Sequence, residues 1–361
     1  MQRRSFLTKA GLGAGAGIVA APVLAQSLPA IQWRLASSFP KTLDTIFGAA
    51  ETFSKRVAAL TGGKFQIRVF AGGEIVPGLQ VMDAVQAGTV EMGHTASYYY
   101  YGKDPTFSFD TAMPFGLTSR QQTAWFERGG GRELMRDFFR GYGIVNFMGG
   151  NTGVQMGGWY RKPVKTLEDI KGMKIRIAGL AGRVMERMGA VPQQIAGADV
   201  YPALEKGTID AAEWVGPYDD EKLGLAKVAP YYYSPGWWEA GPQLSFYIGI
   251  KEWEKLPKQY QAAIEVATYE AHLVMQAEYD AKNPAALARL LKAGAKLNYF
   301  SKPIMDAAYR ISNEVMNEEA SKNAKFRKIY EPWKRFRQDQ NMWASVAEAP
   351  MQNALISSGR K

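Results

Sequence analysis

Apolar positions alternate with polar ones from Ile31 to Ala36, and again from Phe65 to Phe70, the period of a strand with one buried face. Between these runs, Ile46, Phe47, Ala50, Phe53, Val57 and Leu60 recur at helical spacing, predicting a helix over Thr45–Thr61 that Gly62-Gly63 stops. A second helix is predicted over Val76–Ala87, closed by Gly88, and a strand over Val90–Ala96. Strands alternating with helices imply βαβ units in a mostly parallel sheet. From Lys251 onward the pattern turns helical: Gln259–Ala281 with a stop near Asn283-Pro284, Pro284–Lys292 continuing it, then Ile304–Lys322. In the tail, Phe326, Ile329, Trp333, Phe336, Gln340, Trp343 and Ala347 are spaced alternately by 3 and 4, a heptad seam interrupted by one glutamine. Pro332 within it is expected to start or kink a helix. The seam suits packing on the chain's own body and pairing with a second copy alike.

A weak internal repeat sharpens the architecture. Ile67-Arg68-Val69 matches Ile175-Arg176-Ile177 at an offset of 108, and Val85-Gln-Ala-Gly-Thr-Val-Glu91 matches Leu204-Glu-Lys-Gly-Thr-Ile-Asp210 at an offset of 119. Two copies of a strand–helix–strand unit predict two α/β lobes facing each other. The expected fold class is α/β, two-lobed, with an interlobe ligand cleft and a long helical C-terminal extension. The first lobe is placed at about 30–150 plus part of 240–260, the second at about 151–239 plus the C-terminal helices, and a helical dimerisation tail at 325–361. Gly88 and Gly207 each follow a helix and precede a strand, where a left-handed glycine caps the helix. Each next strand then points its carboxyl end toward a crevice.

Composition and the N-terminus narrow the chemistry. Arg3-Arg4-Ser5-Phe6-Leu7 opens a charged stretch, a Gly/Ala-rich run follows, and Val23-Leu24-Ala25 offers small residues for cleavage, so residues 1–25 read as a twin-arginine export signal. Removing it would take Arg3, Arg4 and Lys9 and lower the formal charge from +10 to +7. Lysines and arginines are interleaved with acids along the remaining chain, which argues against nucleic acid and leaves a mild attraction for small anions. No other stretch reaches the length of a membrane span. With no cysteine and two histidines, thiolate sites, disulfides and multi-histidine metal centres are excluded, and no Gly-x-Ser-x-Gly elbow occurs.

Arg176 stands alone as a cation in an apolar strand. A guanidinium fork matches a carboxylate with two parallel bonds and keeps its charge at ordinary pH. Glu213-Trp214 ends the next short strand. A carboxylate beside an anion site would be repelled unless a cation bridges the two, and hard cations take carboxylate, amide and carbonyl oxygens, as Gln155 and the Trp214 carbonyl would supply. The Tyr98–Tyr101, Tyr231–Tyr233 and Trp237-Trp238-Glu239 clusters suit either core packing or a pocket for a small ligand.

Taken together, Leu35-Ala-Ser-Ser-Phe39, Gly88-Thr-Val-Glu91, Leu167-Glu-Asp-Ile-Lys-Gly-Met-Lys-Ile-Arg176, Tyr201-Pro-Ala-Leu-Glu-Lys-Gly-Thr-Ile-Asp210 and Glu213-Trp214 resemble the substrate-binding proteins of tripartite ATP-independent periplasmic (TRAP) transporters, over essentially the whole mature chain. The resemblance implies a periplasmic, non-enzymatic receptor that closes on an organic acid and hands it to a membrane permease, with Arg176 clamping the carboxylate. Gln155, Glu213-Trp214 and Trp238-Glu239 resemble the branch that binds 2-oxo acids such as pyruvate, which also forms homodimers by exchanging a C-terminal helix. On that basis Arg176, Gln155, Trp214, Glu239, Tyr100, Tyr101 and Asn151 are the candidate ligand contacts. Gln155, Glu213 and Trp214 are the candidate ligands of a cation, Na⁺ or alternatively Ca²⁺. Another acid (lactate, a dicarboxylate, a sugar acid), an exported enzyme acting on a small acid through Glu213 or Glu239, and an adhesive protein built on the C-terminal helices stay open.

Overall fold

The computed structural model describes residues 28–359, so the export-signal assignment lies outside the described residues. Eleven strands form: β1 Ile31–Ser37, β2 Phe65–Phe70, β3 Met92–Thr95, β4 Ile144–Asn151, β5 Trp159–Tyr160, β6 Lys174–Arg176, β7 Val191–Gln193, β8 Ala211–Ala212, β9 Tyr231–Ser234, β10 Gln243–Gly249 and β11 Lys296–Tyr299. They make two sheets, in the orders β2-β1-β3-β10-β4 and β11-β9-β5-β8-β6-β7. This is the two-lobed α/β fold that the alternating pattern implies.

The sheets repeat one another. In the first, β1 lies between β2 and β3, all parallel; in the second, β6 lies between β7 and β8, again all parallel. Antiparallel β10 flanks β3 as antiparallel β5 flanks β8, and β4 and β9 follow in equivalent places. The topological counterpart of β6 is therefore β1, and that of β2 is β7. This corrects the match of Arg68 with Arg176: Arg68 sits exposed on edge strand β2, whereas Arg176 lies on a strand paired on both sides. The glycine match survives, because Gly88 and Gly207 both have φ of 70° and each leads into the corresponding strand, β3 or β8. Only the offset of 119 thus marks the repeat, which explains why the two offsets disagree.

The chain crosses between sheets in two short loops that lie side by side, from β4 to β5 and from β9 to β10, and a third time from β10 to β11 by way of a long helix. Gln155 N–H donates to the Glu239 carbonyl at 3.1 Å, and Gly236 N–H to the Gln155 carbonyl at 3.0 Å. A third bond joins Thr152 N–H to the Pro242 carbonyl at 3.1 Å. A 35-residue helix, Lys258–Lys292, then packs on β4 and the Gly48–Leu60 helix on one side and on the Pro217–Leu223 helix on the other. It runs through Pro284, where a stop was expected. Proline removes one backbone donor, but packing along both units holds the helix through the gap. No helix among the described residues is long and apolar enough to cross a membrane.

The tail departs from its sequence reading in two ways. Pro332 neither starts nor ends a helix, since Ala324–Val346 is continuous. The seam also divides: Phe326, Ile329 and Trp333 are buried in the chain's own core, with Phe326 and Trp333 rings 4.7 and 5.6 Å from Phe109, while Trp343 is 53% exposed. The Lys302–Lys322 helix packs on the Gly179–Arg187 helix of the second unit, but Ala324–Val346 packs on Ser119–Arg128 and Gly131–Arg140 of the first. The C-terminal helices therefore do not all belong with the second lobe.

Candidate functional site

Parallel strands aim their carboxyl ends at the gap between the sheets, and the candidate residues sit there. Arg176 ends β6 and is 1% exposed; Glu213 follows β8 and is fully buried. Gln155 and Glu239 lie one on each crossing, held together by the backbone ladder described above. Met156 N–H adds a bond to the Val215 carbonyl at 3.0 Å, which ties the first crossing to the Glu213–Val215 segment. Phe39, Tyr98, Tyr99, Gln155, Arg176 and Trp214 line a narrow cavity between the units.

Arg176 and Glu213 form a buried ion pair through Nη1 and Oε1, and Nη1 also donates to the Glu213 carbonyl at 2.9 Å. Nε donates to the Ile195 carbonyl at 3.2 Å. The guanidinium lies 5.0 Å from the Trp214 ring centroid, so the indole covers it. Its Nη2 is buried with no acceptor. Three oxygens around it are buried with no donor: Oε2 of Glu213, Oε2 of Glu239 and Oε1 of Gln155, whose Nε2 is bonded to Thr152 Oγ1 at 3.2 Å. Buried polar groups are ordinarily paired, so this set marks a place built for something else. One nitrogen seeks an anion, and three oxygens seek a cation or protons.

The protonation tendencies agree. Burial raises Glu213, opposed by the charge of Arg176. Burial and then the charge of Glu213 push Glu239 well above the usual carboxylate range, with Arg176 again opposing. Burial works against the charge on Arg176, yet Glu213, Tyr99, Tyr98 and Glu239 together hold it above its ordinary value. Two carboxyls near one guanidinium leave one negative charge too many for a dry site. A hard cation among those oxygens would hold both carboxyls ionised, and the donor set of carboxylates and an amide fits Na⁺ or Ca²⁺.

Not every candidate joins the cavity. Tyr100 points away: its hydroxyl accepts from Met82 N–H at 3.0 Å and contacts Thr95 Oγ1 at 3.0 Å. Tyr101 is half-buried and reaches toward Glu319. Instead Tyr98 and Tyr99 line the wall, because Ser97–Tyr100 is a 3₁₀ turn, in which neighbouring side chains do not alternate between two faces as they would in a strand. Asn151 has both ends occupied, Nδ2 donating to the Gly241 carbonyl at 3.1 Å and Oδ1 accepting from Gly153 N–H at 2.9 Å, and it braces the crossings. Phe39 and Thr152 were not singled out from sequence. Phe39 follows β1, and the rule that ligands meet strand carboxyl ends points to that position.

The two histidines are structural. His94 Nε2 bonds the Gly149 carbonyl at 2.8 Å and His272 Nε2 bonds Thr123 Oγ1 at 3.0 Å, and burial lowers both to about 4.

The bacterial extracellular solute-binding protein, family 7 model matches residues 36–323. A protein of Nostoc sp. named monocarboxylate 2-oxoacid-binding periplasmic protein is 52% identical over 331 residues, covering 92% of this chain and 91% of that one. The crystal structure of a TRAP transporter solute-binding protein from Bordetella bronchiseptica superposes with a TM-score of 0.90 at 51% identity, covering 91% of this chain and 98% of the other. It is described as a mixed-occupancy dimer with calcium and picolinate in one site and the other site apo. A TRAP solute-binding protein from Pseudoalteromonas atlantica, described with bound sodium and pyruvate, gives 0.87 at 38% identity, over 90% of this chain and 98% of that one.

Proposed function

The chain belongs to bacterial extracellular solute-binding protein family 7, the TRAP solute-binding proteins, and from that premise we propose that it is a periplasmic receptor for a 2-oxo monocarboxylate such as pyruvate. It takes the acid together with a bridging cation and delivers the acid to a membrane permease. The observation that carries this reading is the buried set of unmatched atoms, one guanidinium nitrogen beside three oxygens. Arg176 Nη2 receives the ligand carboxylate. Glu213, Gln155 and the Trp214 carbonyl hold the cation, Na⁺ or Ca²⁺, and the cation supplies positive charge to the ligand's other oxygens. Glu239 contributes a further polar contact, and Tyr98, Tyr99 and Phe39 form the apolar wall. Lobes of about 30–150 with part of 240–260, and of about 151–239, close by a hinge at the β4–β5 and β9–β10 crossings, because the closed state makes contacts that the open one lacks. The names of the Nostoc, Bordetella and Pseudoalteromonas proteins support the ligand class and the cation. The family's assignment to solute binding supports a receptor over an exported enzyme.

Tryptophan fluorescence is the direct test, with nine tryptophans and Trp214 in the wall. Pyruvate, longer 2-oxo acids, lactate, dicarboxylates and sugar acids are titrated with Na⁺, with Ca²⁺ and with neither. Saturable binding of 2-oxo monocarboxylates that collapses without a cation is the expected result. Preference for a dicarboxylate or sugar acid would reassign the ligand, and cation-independent binding would remove the bridge. Arg176→Lys keeps the charge but loses the fork, and should weaken binding roughly a hundredfold, about 2.7 kcal/mol.

A further inference from the structure

Two residues past Val215, the Pro217–Leu223 helix begins, and its inner face carries two adjacent buried aspartates, Asp219 and Asp220. Asp220 bonds inward, accepting from Trp159 Nε1 at 2.9 Å and the Tyr232 hydroxyl at 2.7 Å, and so fastens the helix to the second sheet. Asp219 is placed differently. Its Oδ2 accepts from Trp214 Nε1 at 3.3 Å and from the Tyr279 hydroxyl at 2.8 Å, while Oδ1 is buried without a partner. Trp214 is the ring that covers Arg176, and Tyr279 belongs to the long helix that packs on both units.

We propose that Asp219 is a positioning residue for ligand recognition, fixing the Trp214 indole over the Arg176 guanidinium and tying that indole to the long helix through Tyr279. The inference rests on the reading of Arg176 as the carboxylate clamp. An indole has more than one rotamer open to it, and an acceptor fixed at its single N–H favours one of them. Gly197 makes room for the ring in that orientation, since a Cβ there would lie 2.3 Å from it. The guanidinium in turn is held on its other sides by Glu213 and the Ile195 carbonyl. Released from Asp219, the indole would no longer fix the remaining face, and Nη2 would lose its aim. Asp219 itself touches neither cavity nor guanidinium, so its whole effect on affinity must pass through Trp214.

A double-mutant cycle on the full mature protein tests this, with pyruvate plus Na⁺ as the probe and calorimetry as the readout, since Trp214 is itself altered. Asp219→Ala should weaken binding about tenfold, Trp214→Phe by a similar or larger factor, and the double variant no more than Trp214→Phe alone. Asp219→Asn keeps an acceptor oxygen and should restore most of the affinity, whereas a purely structural role would not require that oxygen to face the indole. Additive losses, or an Asp219→Ala protein that binds like wild type, would overturn the proposal. Should Asp219→Ala fail to fold, Tyr279→Phe, which frees Asp219 from the long helix, carries the cycle with Trp214→Phe, and additivity there counts equally against it. Arg176→Lys is run alongside: wild-type binding by that variant sinks the clamp itself, while loss there with an unaffected Asp219→Ala sinks only the positioning role.

Discussion

Arg176 and Glu213 neutralise each other, yet each keeps one atom unmatched, and the ligand reading grows from that remainder. Deleting Arg176 outright would strand Glu213 as a buried charge at a cost of about 3–5 kcal/mol, so loss of binding in Arg176→Ala conflates site and stability. Arg176→Lys is the cleaner substitution for that reason. Another buried acid, which bonds none of the candidate cation ligands, makes a prediction of its own. Asp110 accepts from Ser97, Ser245 and Asn146, and burial raises it to about 6 in spite of those bonds. A carboxyl raised on folding favours the native state at low pH, and that contribution is lost as pH rises through about 6. Asp110→Asn keeps an acceptor for Asn146 and removes the buried charge. It should gain up to about 3 kcal/mol over wild type at pH 8 and nothing at pH 4. Thermal melts of both proteins at the two pH values decide it, and an equal difference at both would rule titration out. Arg176 and Glu213 stand out in the sequence because a charge in an apolar strand and an acid beside an indole are local signals, whereas Gln155 carries no such signal and enters through the resemblance. The sequence could not show that Tyr99 faces the cavity and Tyr100 does not, since that depends on a 3₁₀ turn whose register no periodicity records.

Helices and strands were legible wherever one face is apolar, and became illegible where tertiary packing overrode a local rule. Pro284 and Pro332 both read as breaks, and both lie inside continuous helices that neighbours hold in place. The heptad seam shows the same effect in reverse: its even spacing conceals that Phe326, Ile329 and Trp333 are spent on the chain's own core. A cut at Pro332 would remove Trp333 and Arg337, both buried, and so would test folding more than assembly. The surface available to a second copy lies further on, where Met342, Trp343, Val346, Met351 and Leu355 are each more than half exposed. Apolar area of that extent would suit pairing with a second copy. Trp343→Asp with Leu355→Asp should therefore convert a dimer to a monomer in light scattering, with a melting temperature for the monomer unit close to wild type. A dimer that persists would move the interface off the tail.

At the scale of the molecule, some polar contacts between the two units bridge the cleft, and under the proposed hinge closure these are contacts that an open form would lack. Gln194 Nε2 donates to the Tyr99 carbonyl at 2.7 Å, just beside the cavity. At the rim, Asp44, in the turn after β1, accepts from Lys222 Nζ at 2.6 Å and from the Tyr218 hydroxyl at 3.1 Å, both on the Pro217–Leu223 helix of the other unit. The Tyr218 ring is flanked by Lys222 and Lys282 ammonium groups 4.7 and 4.8 Å from its centre, so the tyrosine is held from both sides. The Asp44 side chain is 53% exposed, and an exposed pair of this kind contributes no more than about 1 kcal/mol. That amount is small for folding but acts entirely on the closed state, because opening the hinge separates the partners. Asp44→Ala should therefore leave the association rate of a 2-oxo acid unchanged and speed its release roughly fivefold, the factor that about 1 kcal/mol gives. Stopped-flow fluorescence separates the two rates, and raising salt should narrow the gap between variant and wild type as the ion pair is screened. A release rate indifferent to both the substitution and the salt would mean that closure is held by the buried site alone.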